Sequence, residues 1–346
     1  MEDMCDIIAR VERLKRYPHG VVPVLTVRRI LDWENPLERY DECDFKEIYR
    51  LSKSSVHELY RLLDVRRSID NRGCPFPPLQ QLLLALRYFE TGSFQVVYGD
   101  LVKVSQPTVS RCVAVMAIAI AGLREQLVRL PKRTEIASMK AKFHSIAGFP
   151  GVSGCIGCTH VTIASPGGEM AQVFRNWKGT FSINLQVVYG PSVEFLDIVA
   201  SWPGSTHDSI ILENSRFGNL LRTKQYPGII LGDAGYARKP YLLTPLQSPE
   251  TASEKRHNKA HVKTRNSVER AFGVWKKRLP CLRSKLCTKL DTRTAIIVAV
   301  AVLYNFALQS KDTHGDTIMT AADEQDITDQ LEQNDRCCSA FRRAFI

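Results

Sequence analysis

The sequence predicts an α/β domain over about residues 150–310, preceded by an all-helical segment over 45–145 that contains the outline of a helix-turn-helix. Three observations predict it. Apolar residues recur at helical spacing before Gly151, and β-branched runs bounded by Gly and Pro begin after it. Helical patterns then alternate with the later strands, as in an α/β domain. Residues 1–44 read as an N-terminal extension and 311–346 as a flexible acidic tail.

Taken in order, Phe45 to Leu63 carries apolar residues at helical spacing, with Ser54 or Ser55 as a cap that restarts the helix at Val56. Pro75, Pro77 and Pro78 break the pattern. Leu79 to Phe89 is a strongly apolar helix that stops near Thr91-Gly92. Ser93 to Leu101, a turn at Val102 to Val104, and a helix opened by Ser105 and Pro107 complete the helix-turn-helix outline. In that motif Gln106, Thr108, Ser110 and Arg111 would face base edges. An ordinary helical corner has the same outline.

Strands are expected at Val152 to Ile163, Ile183 to Tyr189, Phe195 to Ser201 and Ile229 to Leu231, and helices at Ser209 to Leu221 and Ser267 to Leu279. The apolar run Ala295 to Leu308 is interrupted by Asn305 and falls short of the ~20 residues that span a membrane. It reads as a buried helix.

Charge is unevenly spread. Lys311 to Asp335 carries −7 against a total of +11, which leaves +18 on the remainder. A body this basic calls for an anionic partner, and nucleic acid is the commonest. From Lys255 to Lys289 twelve Lys or Arg face one acid, Glu269. Within that run Arg265, Arg270, Lys276, Lys277 and Arg278 are the expected phosphate contacts. The ten cysteines lack the spacing of a disulfide framework, and Met1 to Gly20 lacks the apolar core of a signal peptide. The reducing cytosol or nucleus fits.

Three carboxylates stand where metal-assisted phosphodiester chemistry needs them. Asp233 directly follows the apolar strand Ile229 to Leu231, Glu269 lies on a helix, and Asp208 follows the turn Pro203-Gly204-Ser205-Thr206-His207. Magnesium takes oxygen ligands, commonly one or two carboxylates with water and phosphate. Two such ions stabilise the attacking and leaving oxygens. Each residue also has a plain structural role open to it: Asp208 as a helix cap, Glu269 as a partner of Arg265. Cys155-Ile156-Gly157-Cys158 and His257 to His261 lie too far apart for a zinc finger.

Cys155 to Ile163, the Trp202-Pro203-Gly204-Ser205 turn leading to Asp208, Gly232-Asp233-x-Gly235-Tyr236, and Arg265-x-x-Val268-Glu269-x-x-Phe272-Gly273 follow one another in order. Together with the segments GSFQVV and SQPTVSRC, they resemble the PIF/Harbinger transposases and the nucleases derived from them, over roughly residues 45–310. The resemblance implies a ribonuclease-H-like mixed sheet flanked by helices. It implies an Asp-Asp-Glu centre that uses Mg2+ or Mn2+, with Asp208, Asp233 and Glu269 as both metal ligands and catalytic residues. It also implies a nuclear protein, shared with the cytoplasm, that acts with a Myb/SANT-like DNA-binding partner.

One position departs. The family's first aspartate falls on Gly157, which has no side-chain oxygen. Asp208 and Asp197 are the acids considered as partial substitutes. The expectation is weak or absent strand cleavage with DNA binding retained. Three functions stay open at this point: a metal-dependent nuclease with a depleted acid set, a non-catalytic DNA-binding scaffold, and a regulator that uses the helix-turn-helix alone.

Overall fold

A computed structural model describes residues 35–63, 77–93 and 104–312. The extension before residue 35, most of the first helix-turn-helix element (94–103) and residues 313–346 lie outside the described residues.

The helical part contains α1 (Glu42–Tyr49), α2 (Lys53–Leu62), α3 (Pro78–Thr91), α4 (Gln106–Ala121) and α5 (Ile136–Ala147). The break between α1 and α2 comes earlier than the sequence suggests. Arg50 turns left-handed at φ 59°, Ser52 takes the extended backbone of a cap, and its hydroxyl accepts from the Ser55 amide. Ser54 and Ser55 are therefore not the cap. Helix α3 ends at Gly92 in the left-handed region, as expected.

Ser105 precedes α4 but does not cap it with its side chain, because its hydroxyl bonds the Thr108 hydroxyl at 2.9 Å. The Thr108 and Val109 amides go to the Ser105 carbonyl instead. Gln106 and Arg111 are exposed, and Thr108 and Ser110 partly so. Beyond this first turn α4 is apolar and packs on α3 and on α9, the helix Leu290–Gln309.

The sheet is five-stranded and mixed, in the order β3 (Phe195–Pro203), β2 (Ser182–Tyr189), β1 (Val152–Thr162), β4 (Ile229–Leu231), β5 (Leu242–Leu243). The β1–β2 and β2–β3 pairs are antiparallel, and β1–β4 and β4–β5 are parallel. This is the mixed sheet flanked by helices that the resemblance implies.

The helix expected over Ser209 to Leu221 is two, α6 (Asp208–Glu213) and α7 (Arg216–Arg222). Ser215 is extended, accepts from the Gly218 amide and donates to the Leu212 carbonyl, so a new helix begins there. The helix expected from Ser267 is the second half of α8 (Ala252–Arg278). Thr251 and Glu254 form a reciprocal capping box that starts it well upstream.

Helix α9 is long and apolar enough to cross a membrane, but 72% of that stretch is buried inside the protein. It packs against β3 and α4. Asn305, which interrupts its apolar run, ties it to β3 and to the segment that follows α4. Its amide nitrogen donates to the carbonyls of Leu127 and Phe195, both at 2.7 Å, and its oxygen accepts from the Phe195 amide at 2.9 Å. Phe195 sits against Trp275 of α8 and Tyr304 of α9, each with ring centroids 4.9 Å away. One continuous apolar core thus joins the helical part to the sheet.

The first acid of the expected tail is docked. Asp312 is 6% exposed, pairs with Lys46 at 3.0 Å and accepts from the Ser52 amide.

Candidate functional site

Strand alternation sorts the residues of β1 and β2 onto two faces. On one face lie Gly157 and Thr159 of β1, with Val187 and Tyr189 of β2. Helix α8 covers it: Phe272 meets Tyr189 at 5.1 Å, and Lys276 Nζ donates to Thr159 Oγ1 at 2.7 Å. On the other face lie Cys158 and His160, opposite Gln186 and Asn184. Helix α6 meets β2 there.

Asp208 opens α6. The cap is His207, whose Nδ1 accepts from the Ser209 amide, so Asp208 is left free for other work. The turn before it needs glycine, since a Cβ on Gly204 would lie 2.3 Å from Ser182 Oγ and 2.8 Å from the Phe174 carbonyl. Asn184 Nδ2 donates to Asp208 Oδ1 at 2.9 Å and to the Thr206 carbonyl at 2.9 Å, which locks the turn to β2.

Asp233 lies two residues past β4. Its Oδ1 accepts from the Gly235 amide at 2.9 Å and its Oδ2 from Arg265 of α8 at 3.3 Å. Each oxygen is thus held by a protein donor, and a carboxylate oxygen has acceptor capacity beyond one such bond. Ser209 Oγ donates to the Gly235 carbonyl at 3.0 Å and ties α6 to the Asp233 loop.

Asp208 and Asp233 converge closely enough to repel. Burial, then the Asp233 charge, push the Asp208 carboxyl up to about 6. Burial and then Asp208 push the Cys158 thiol well above its usual range, and Cys158 Sγ lies 3.2 Å from the Tyr236 hydroxyl.

With its pKa raised, folded Asp208 holds a proton that the unfolded chain has released between about pH 4 and 6. Its ionisation as pH rises through that window therefore costs folding stability. Metal-free Asp208→Asn should melt a few degrees above the parent near pH 7.5 and no higher near pH 4, where both are neutral. Thermal melts at the two pH values in chelator check this, and an equal shift at both would remove the charge explanation.

Glu269 lies on α8, one turn beyond Arg265 and one before Phe272. Its side chain lies outside the described residues. Gly157 is buried on β1. The β1–β4 register pairs Cys155 with Leu231, so Gly157 is level with Asp233 on the α8 face. Asp208 approaches from the opposite face and does not take the place of a residue-157 side chain. Asp197 does not either, because it lies on β3 opposite Val188 and pairs with Arg124 at 3.0 Å.

The expected phosphate contacts separate. Arg270 is exposed. Arg265 is the clamp on Asp233, with 16% of its side chain exposed. Arg278 is turned inward, 4% exposed, and donates to the carbonyls of Arg50 and Asp312, so it is a structural residue and not a DNA contact. Lys276 and Lys277 are both partly exposed. Cys155 and Cys158, three apart on a strand, point to opposite faces, while His261 bonds the Leu243 carbonyl and packs on Phe149.

Sequence reasoning missed Asn184, Tyr236 and the bonds of Lys276 to Thr159 and the His160 carbonyl. A signal for Asn184 was present: Ser182, Asn184 and Gln186 put a polar side chain at every second position of a strand that is buried throughout.

The family described as DDE superfamily endonuclease matches residues 156–305, the stretch that holds Asp208, Asp233 and Glu269. "Putative nuclease HARBI1" of Homo sapiens is 31% identical over 307 residues, covering 86% of this chain and 88% of that protein. The chain belongs to the DDE superfamily of endonucleases. The HARBI1 protein of Rattus norvegicus is 32% identical over 308 residues, with 86% of each chain covered. "Protein ALP1-like" of Arabidopsis thaliana is 26% identical over 336 residues, 88% of this chain and 80% of that one. No solved structure matches. The five-stranded mixed sheet with flanking helices is consistent with the DDE nuclease fold.

DDE endonucleases generally use divalent metals. Among the described residues no group of three or more His, Cys, Asp or Glu is placed to hold one. The donor chemistry nevertheless fits a hard cation. Asp208 and Asp233 repel, and beside them Asn184 Oδ1 is buried with no hydrogen-bond partner among the described residues.

Proposed function

We propose that this chain is a transposase-derived protein of PIF/Harbinger type that binds DNA and a divalent cation, Mg2+ or Mn2+, through Asp208, Asp233 and Glu269. Phosphodiester cleavage at this site is slow because Gly157 supplies no ligand. The observation that carries the reading is the convergence of Asp208 and Asp233, two acids brought together at an energetic cost that a bound cation would remove.

When bound, the metal supplies charge neutralisation at the attacking and leaving oxygens of a phosphodiester. The chain's own residues prepare the place. Asn184 aims Asp208, the Gly235 amide and Arg265 fix Asp233, and Ser209 ties the two segments together. Arg270 and Lys277 on α8, and Gln106, Thr108, Ser110 and Arg111 at the start of α4, are offered as DNA contacts. Both sets are solvent-accessible.

A second reading, favoured by the glycine at 157, is a catalytically silent scaffold that keeps DNA binding and a Myb/SANT-like partner in the nucleus. Titration of a labelled duplex against purified protein tests the DNA term common to both. The expected slope of log affinity against log salt is about −3 or steeper, roughly 0.9 per phosphate neutralised. Affinity should rise further when Mg2+ or Mn2+ is added. No binding even at low salt would end the proposal.

A further inference from the structure

Between the turn at Glu169–Phe174 and β2 lies a small hairpin that the carboxylate site does not explain. Arg175 pairs with Phe181 across it, and Asn176 N donates to the Thr180 carbonyl at 2.9 Å. Asn176, 8% exposed, braces the tip from inside: its Oδ1 accepts from the amides of Lys178 and Thr180, both at 3.0 Å. Gly179 closes the turn at φ +77°, a backbone that favours glycine.

This rigid tip holds a large aromatic ring out in solvent. Trp177 is 51% exposed, and Lys178 Nζ lies 4.8 Å from its ring centroid. A braced loop has no folding reason to present an indole, because burial of such a ring is strongly favourable. The tip is also wired to the site. Asn176 Nδ2 donates to Ser182 Oγ, which meets His160 Nδ1 at 3.0 Å, and Ser182 lies two residues along β2 from Asn184.

The surroundings are cationic. Lys276 Nζ gives two of its three protons to Thr159 Oγ1 and the His160 carbonyl, and keeps one. Lys178 and Arg283 are close enough to disfavour its charge, which burial first, then Arg283, hold down to about 8. Among the described residues none of Lys178, Lys276 and Arg283 forms an ion pair with a carboxylate. Unpaired cations crowded beside an exposed aromatic call for a ligand with both a π-face and negative charge.

We infer that Trp177 is a stacking platform for an unpaired base of the DNA, with Lys178, Lys276 and Arg283 holding the phosphates that flank it. The inference rests on the DNA reading above and adds to it a preference for single-stranded or frayed DNA near the carboxylates. Base–aromatic stacking is tolerant of sequence, so the preference concerns strandedness and not base identity.

The test compares parent, Trp177→Ala and Trp177→Phe in binding a labelled oligothymidylate and a blunt duplex. Trp177→Ala is expected to lose about 10- to 100-fold on the oligothymidylate and little on the duplex, while Trp177→Phe stays within about threefold of the parent. Quenching of tryptophan emission by the oligothymidylate should disappear in Trp177→Phe. An unchanged melting temperature for Trp177→Ala shows that the loss is not one of folding. Equal single-strand binding by Trp177→Ala and the parent overturns this inference and leaves the DNA reading standing. A parent that binds neither probe overturns both.

Discussion

Gly157→Asp should raise Mg2+- or Mn2+-dependent nicking of supercoiled plasmid by roughly 10²- to 10³-fold over the parent chain. The β1–β4 register brings residue 157 level with Asp233 on the face that α8 covers. Adjacent strands run ~4.8 Å apart, so an aspartate there stands beside Asp233 at a spacing suited to sharing a cation. The size follows from what one more fixed negative ligand contributes in a partly desolvated site, about 3–4 kcal/mol at 1.36 kcal/mol per tenfold.

The substitution carries its own control. Position 157 is buried, so the new carboxylate is expected to destabilise metal-free protein and to regain the loss on adding Mn2+. A folded Gly157→Asp protein that takes up Mn2+ in a melt yet leaves the plasmid intact would show that the missing acid is not what limits the site.

Asp233→Asn is expected to be the most damaging single change to metal binding. It removes a hard oxygen ligand and leaves Arg265, with 16% of its side chain exposed, facing a neutral amide. At 100 times its dissociation constant a metal stabilises the parent by about 2.7 kcal/mol. That rise in melting temperature should vanish in Asp233→Asn. In the Gly157→Asp background, the same change should cut nicking by at least ~10². Folding stability itself has opposing contributions, since Arg265 loses its ion pair with Asp233 while Asp208 is relieved of a like charge. A metal-dependent shift or plasmid nicking that survives Asp233→Asn would move the centre away from this loop.

Much of this arrangement was legible in the sequence because it depends on local pattern. The runs at β1, β2 and β3 are β-branched and bounded by Gly or Pro. Asp233 is announced by the short apolar strand before it, and Asp208 by its Pro-Gly turn. What was not legible depends on register and rotation. That Asn184 meets Asp208, or that Asp208 and residue 157 approach from opposite faces, follows from the pairing of His160 with Asn184 across β1 and β2, which no spacing along the chain encodes. Arg278 reads as one more member of a basic face. The turn of α8 carries it inward to the carbonyls of Arg50 and Asp312. Ser52 was overlooked as a cap because the left-handed residue that frees it is an arginine, not a glycine.

Helix α9 has a consequence for any attempt to divide the protein. Its apolar surface is shared between α4 and β3, and Asn305 clasps the backbone on both sides of the junction, at Leu127 and Phe195. A fragment ending near residue 140 would carry α4 without the helix that shields it, and one starting near 150 would carry α9 with a bare flank. Each piece would expose a sticky seam, so the helical cap and the nuclease sheet should denature in a single concerted step.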